Sequence, residues 1–231
     1  MNKQGNTYTF IYASVLVVVV AVLLTLTSIG LRAKQTKNEE IAKKRDILKS
    51  INIETTKDNA EDIFNKIIGQ HCYIVDFEGN KMEVDGFAID MSKELKKPAR
   101  ERLYPVFEAQ LENNELKYII QVRGTGLWGP IWGYISLNSD KNTVYGVNFR
   151  HKGETPGLGA EIDKLPFQKQ FQGKRLFDDE GNLVSIAVNK GHNSQNSLYE
   201  VDAVSGGTIT SKGVEAMLAD FFKGYENFLK K

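Results

Sequence analysis

The sequence predicts an α+β domain, with a mainly antiparallel sheet and packed helices, behind one N-terminal helix able to cross a membrane. Three observations predict it. No charged residue lies between Lys3 and Arg32. The middle of the chain holds short runs of aromatic and β-branched residues separated by Gly, Asn and Asp. The chain closes on an apolar stripe at helical spacing.

The N-terminal segment comes first. Phe10 to Leu31 supplies roughly twenty apolar-dominated positions, enough to span a bilayer as a helix. Tyr8 and Tyr12 stand where an interfacial aromatic belt would be. A cleaved signal peptide fits less well, because the run exceeds the usual apolar region of about 7–15 residues and no small-x-small cleavage site follows cleanly. A buried core helix would show a polar face at this length. The expected organisation is an anchor over 1–34 (helix about 10–31), a charged juxtamembrane stalk over 35–57 with a thin stripe of Ile41, Ile47 and Leu48, and a domain over 58–231.

Within that domain, Thr55-Thr-Lys-Asp-Asn offers helix-start chemistry. Ala60, Ile63, Phe64, Ile67 and Ile68 then recur at helical spacing, and Gly69 closes the helix. Strands are expected at Cys72–Phe77, Tyr104–Phe107, Tyr118–Val122, Trp132–Leu137, Thr143–Phe149 and Leu183–Val188. Glu78-Gly-Asn and Glu180-Gly-Asn read as turns. In the last helix Val214, Met217, Leu218, Phe221, Tyr225 and Phe228 form a core-facing stripe.

Charge and composition exclude several classes. The 30 basic and 29 acidic residues leave a net charge of +1, so no broad basic field exists to hold nucleic acid. One cysteine, Cys72, rules out an internal disulfide and any multi-thiolate metal centre made by this chain alone. His71, His151 and His192 fit no metal-ligand spacing, and no metal site is expected.

The segment Asp202-Ala-Val-Ser205-Gly206-Gly207-Thr208-Ile-Thr210-Ser211 carries the chemistry. Adjacent glycines let backbone N–H groups converge, hydroxyls flank them, and a helix N-terminus follows with unpaired N–H groups and the positive dipole end. That suits a phosphate group. The bland reading is an N-cap at Thr210 or Ser211 preceded by a flexible turn, and composition alone leaves both open. Neither a P-loop nor a dinucleotide fingerprint is present.

This segment resembles the covalent flavinylation motif of FMN-binding domains. Two further blocks agree: His151-Lys-Gly-Glu154-Thr155-Pro156-Gly157-Leu158-Gly159 and Gly124-Thr-Gly126-Leu127-Trp128-Gly-Pro-Ile-Trp132. With the anchor and the length, the chain is similar to the family of C subunits of sodium-translocating NADH:quinone oxidoreductases. The resemblance implies FMN joined by a phosphoester to Thr208, with Ser205, Gly206, Gly207 and Thr210 about the phosphate. It also implies that Glu154, Thr155, Gly157, Leu158 and Gly159 border the flavin. Leu127 and Trp128 are expected against the isoalloxazine, with Trp132 inside the domain. Gly207 departs from the family's usual alanine and adds flexibility. The residues give the second loop a physical sense of its own, since Pro156 stiffens it and its glycines permit close backbone approach to a flat ring.

The resemblance further implies an electron relay with no catalytic residue of its own, one of several subunits that pass electrons from NADH to quinone while sodium is pumped outward. A separate flavin transferase would load Thr208 from FAD. The anchor implies membrane lipid as a partner. Arg32, Lys34, Lys37, Lys43, Lys44 and Arg45 after the span would place the domain in the cytoplasm. The resemblance places it on the periplasmic side of the inner membrane. Rival readings are the G subunit of an Rnf-type complex, which exchanges electrons with ferredoxin, a membrane-anchored binding or sensing domain that carries no flavin, and a purely structural assembly subunit.

Overall fold

The structure, a computed structural model, describes residues 5–112, 114–191 and 197–231; Lys3 and His192 lie outside them. The chain divides into two compact units, Met1–Lys43 and Lys44–Lys231.

The first unit is the greater part of helix α1, which runs Asn6–Ser50. Its large apolar side chains from Phe10 to Leu31 are exposed, and it is long and apolar enough to cross a membrane. Thr25 and Thr27 hide their hydroxyls by donating to the carbonyls of Ala21 (2.7 Å) and Leu23 (2.8 Å), which suits an apolar surrounding. The helix does not break where the apolar run ends. Lys, Glu, Arg, Gln and Ala are good helix formers, so the charged stretch simply extends it. The anchor and the charged stretch expected as a stalk are continuous in one 45-residue helix that ends at Ser50.

The second unit begins at Lys44, earlier than the expected residue 58, because Ile47, Leu48 and Ile51 are fully buried in it. Helix α2 (Ala60–Ile67) follows, and Gly69 ends it at φ +54°, its N–H donating to the Phe64 carbonyl. Strands β1 (Cys72–Val75), β2 (Lys81–Met82), β3 (Tyr104–Gln110), β4 (Leu116–Thr125), β5 (Pro130–Leu137) and β6 (Val144–His151) form one antiparallel sheet in the order β2-β1-β3-β4-β5-β6. The short helices α3 (Met91–Glu94) and α4 (Leu165–Gln168) sit in the connections. Strands β7 (Ala187–Asn189) and β8 (Glu200–Asp202) pair in parallel as a separate ribbon. The run Leu183–Val188 is therefore only partly a strand and lies outside the main sheet. The two Glu-Gly-Asn turns fold alike: Gly79 and Gly181 take positive φ, and Asp76 and Asp178 accept from the N–H of Asn80 and Asn182.

Both faces of the sheet are covered, which is why its strands are apolar at successive positions rather than alternate ones. Helix α5 (Thr208–Leu229) lays Val214, Met217, Leu218, Phe221, Tyr225 and Phe228 on one face, against Tyr104, Val106, Ile120 and Val122. The buried phenols in this layer remain donors. Tyr225 gives its proton to the Pro105 carbonyl (2.7 Å), and burial pushes the Tyr104 phenol up to about 12. The end of α1 and α2 cover the other face, over Phe107, Ala109, Ile119 and Tyr134. The apolar part of that cover ends at Tyr134; beyond it Asp46 of α1 pairs with Arg150 at 2.7 Å. Trp132, expected inside, is consequently half-exposed, between Arg123 and Arg150 in the cross-strand register and with the Arg123 guanidinium 5.8 Å from its ring.

Candidate functional site

Three loops meet at the N-terminus of α5. The first joins β4 to β5 and contains Leu127 and Trp128; it is closed by the Gly126 N–H donating to the Gly129 carbonyl (2.8 Å). The second leaves β6 at His151, passes Glu154 and turns at Gly157 (φ +74°) into a 3-10 helix over Gly159–Asp163. The third is Ser205-Gly206-Gly207, where Gly206 takes φ +71° and the Gly207 N–H closes a turn on the Val204 carbonyl.

Glu154 ties the three together. Its side chain is 4% exposed. Oε1 accepts from the Trp128 N–H (2.8 Å) and Oε2 from the Thr210 hydroxyl (2.6 Å). The carboxylate also needs two bare backbones: a Cβ on Gly126 would fall 2.5 Å from Oε1, and one on Gly159 2.5 Å from Oε2. Its charge is thus held by protein donors and takes part in building the cleft.

The third loop is shaped by approach as well as by torsion. A Cβ on Gly206 would lie 2.5 Å from Leu158 Cδ2. An alanine at Gly207 would put its methyl 3.0 Å from Val204 Cγ1 and 3.3 Å from the Gly159 nitrogen, so glycine leaves a little more room. Helix α5 starts at Thr208, with Gly207 as a cap that offers no side-chain bond. The bland reading of a cap at Thr210 or Ser211 is therefore wrong. Both are buried within the first turn, Thr210 bonded to Glu154 and Ser211 accepting from the Val204 N–H. They fail as caps because residues already helical turn their hydroxyls onto neighbouring segments.

The result is a cleft of about 200 Å³ lined by Leu127, Glu154, Thr155, Leu158, Gly159, Gly206, Gly207, Thr208, Ile209 and Thr210. Among the expected residues, Ser205, Gly157 and Trp128 do not line it. Ser205 is exposed, Gly157 serves the turn, and Trp128 lends its N–H to Glu154 while its indole is 69% exposed. Ile209 lines the cleft without being among the expected residues. It is 60% exposed at the cleft, and its place off the buried stripe of α5 was the available sign.

The chemistry of this cleft suits an anionic ligand with a flat apolar part. The first N–H groups of a 22-residue helix lack intrahelical acceptors, and no cap side chain competes for them. Thr208 stands half-exposed at that point, while Leu127 and Leu158 offer exposed apolar surface beside it. Fold and cleft together define an FMN-binding domain, and residues 126–223 match the family described by that name. Comparison with whole proteins narrows the class. The chain is 31% identical to the C subunit of the Na(+)-translocating NADH-quinone reductase of Vibrio anguillarum, over 98% of this chain and 94% of that one. It is 30% identical to the corresponding C subunit of Pseudomonas aeruginosa, over 98% and 95% respectively. The crystal structure of the C subunit from Parabacteroides distasonis superposes with a TM-score of 0.78 at 46% identity, covering 87% of this chain and 98% of that one. The chain belongs to the family of C subunits of Na(+)-translocating NADH-quinone reductases, with FMN as its cofactor.

Proposed function

We propose that the chain is the membrane-anchored electron-relay subunit of a sodium-translocating NADH–quinone reductase, with FMN esterified through its phosphate to Thr208. One observation carries the reading: Thr208 is the first residue of α5, half-exposed in the cleft, with no side-chain cap in front of it. Thr210 and Ser211 have their hydroxyls engaged elsewhere. In loading, the Thr208 hydroxyl displaces AMP from the FAD pyrophosphate on a flavin transferase, which leaves an FMN phosphoester and releases a proton.

FMN supplies one- and two-electron redox chemistry when bound. The residues of the chain supply placement. The free N–H groups of the first turn of α5 and the bare Gly206-Gly207 backbone hold the phosphate, and the helix dipole favours its charge. Leu127, Leu158 and Ile209 offer apolar surface that keeps water from the ring. Glu154 fixes the distance between these parts. A tether of this kind keeps the redox group where the proteins of the complex touch, and there its partners give and take electrons. Residues 1–34 form the anchor, and the flavin domain lies on the periplasmic side of the inner membrane.

The test is illumination of the denatured full chain on an SDS gel, with intact mass of the wild type and Thr208→Ala. The expected result is a fluorescent band and a mass increase of FMN less water, both absent from the variant. A dark wild-type band of unmodified mass, from cells that flavinylate another target, would refute the linkage. It would leave an anchored binding domain as the reading.

A further inference from the structure

The Glu154 carboxylate is placed by its own backbone, and that backbone is gripped by a side chain the site does not otherwise use. His151 is the last residue of β6, paired with Ile131 of β5, so its position is fixed by the sheet. Its Nδ1 accepts from the Glu154 N–H at 3.1 Å. A neutral ring that accepts at Nδ1 carries its proton on Nε2. That nitrogen faces Asp163 Oδ2 at 3.6 Å, and the Lys164 ammonium lies 3.0 Å from the other oxygen of Asp163. Asp163 ends the 3-10 helix that begins at Gly159. One imidazole, with 17% of its side chain exposed, therefore touches both the start and the end of the loop that borders the cleft.

We propose that His151 is a positioning residue for the flavin site. Its ring clips the loop over 154–163 to the end of β6, and so sets where the Glu154 carboxylate grips Thr210, two residues beyond Thr208. This rests on the reading of Thr208 as the attachment point. Without the clip, the Glu154 N–H loses its acceptor and the loop can lift from the sheet. Gly159 then no longer lies against Thr210 and Glu154, and the first turn of α5 is presented to the transferase in a spread of conformations. The effect belongs to recognition of the unloaded chain more than to the bond-forming step, because His151 does not line the cleft.

The experiment uses the full chain in detergent, purified without flavin, with FAD and a purified flavin transferase. Attachment is followed by fluorescence and intact mass for the wild type and for His151→Asn, His151→Gln and His151→Ala. The oxygen of Asn lies where Nδ1 lies and keeps the acceptor, whereas the amide of Gln reaches the place of Nε2 and leaves the Glu154 N–H unpaired. The expected KM of the transferase for the chain rises about five- to tenfold for the Gln and Ala variants, the weight of one hydrogen bond. For the Asn variant it stays within about threefold of wild type, and kcat changes little throughout. Amide exchange of the unloaded chain gives a second reading: Glu154 protection is kept in the Asn variant and lost in the Gln variant. Equal KM values across all four chains, or an Asn variant as impaired as the Ala variant, would overturn the role of His151 and leave Thr208 standing. A wild type that takes up no flavin removes the Thr208 reading and this proposal with it.

Discussion

Glu154 offers the most demanding test of how the cleft is built. Its carboxylate accepts from the Trp128 N–H at 2.8 Å and the Thr210 hydroxyl at 2.6 Å. A hydrogen bond to a charged group contributes about 1.5–3 kcal/mol, so two contribute about 3–6. Trp128 is 69% exposed and its N–H can return to water, whereas Thr210, 1% exposed, cannot be rehydrated. The lower half of the range applies, and Glu154→Ala should cost about 3–4 kcal/mol. In Glu154→Gln the oxygen still accepts from Trp128, and the amide nitrogen donates to a Thr210 hydroxyl that has only to turn. Charge assistance alone is lost, about 1 kcal/mol. For a unit running from Lys44 to Lys231 these figures correspond to a fall in Tm of about 6–16 °C for Ala and about 2–4 °C for Gln. Calorimetry of the full chain in detergent reads both. If the Ala variant melts with the wild type, or the Gln variant melts with the Ala variant, the carboxylate does not tie the three loops and the account of the cleft is wrong.

Two other predictions follow from particular geometry. Gly206→Ala forces a side chain into φ +71° and sets its methyl 2.5 Å from Leu158 Cδ2. The torsion costs about 1–2 kcal/mol, and Gly206→Ala/Leu158→Ala should recover the steric part alone, as measured by urea unfolding. If the double variant regains full stability, the torsion carries no strain. For topology, Lys231→Cys in a Cys72→Ser background should react with a membrane-impermeant maleimide in cells whose outer membrane alone is permeabilised. Labelling that requires lysis would return the domain to the cytoplasm, as the basic residues after the span argue.

The elements legible in the sequence were those whose pattern is local. The apolar stripe of α5 runs through successive turns of one helix, and each of its expected residues is buried. The antiparallel strands stood out because Gly, Asn and Asp punctuate them. The anchor and the charged stretch after it run as one helix to Ser50, since helix propensity does not drop when composition turns from apolar to charged. Size and aromaticity make Trp132 read as interior, but they do not record how far the apolar cover of a sheet face extends. Leu183–Val188 has the composition of a strand, but its start makes only an isolated bridge, Leu183 with Phe177, and its end pairs with β8 rather than the main sheet.

The same division runs through the site. The apolar span, the glycine pair before a helix and the three motif blocks that mark an FMN-binding domain can be read along the chain, because each is a matter of neighbouring residues and fixed backbone demands. That Thr208 rather than Thr210 opens the helix, and that Glu154 binds Thr210 across 56 positions of chain, emerges from the folded packing alone. Those contacts depend on where β6 delivers its last residue relative to α5, and long-range placement is set by the packing of both elements on one sheet, which no local spacing records.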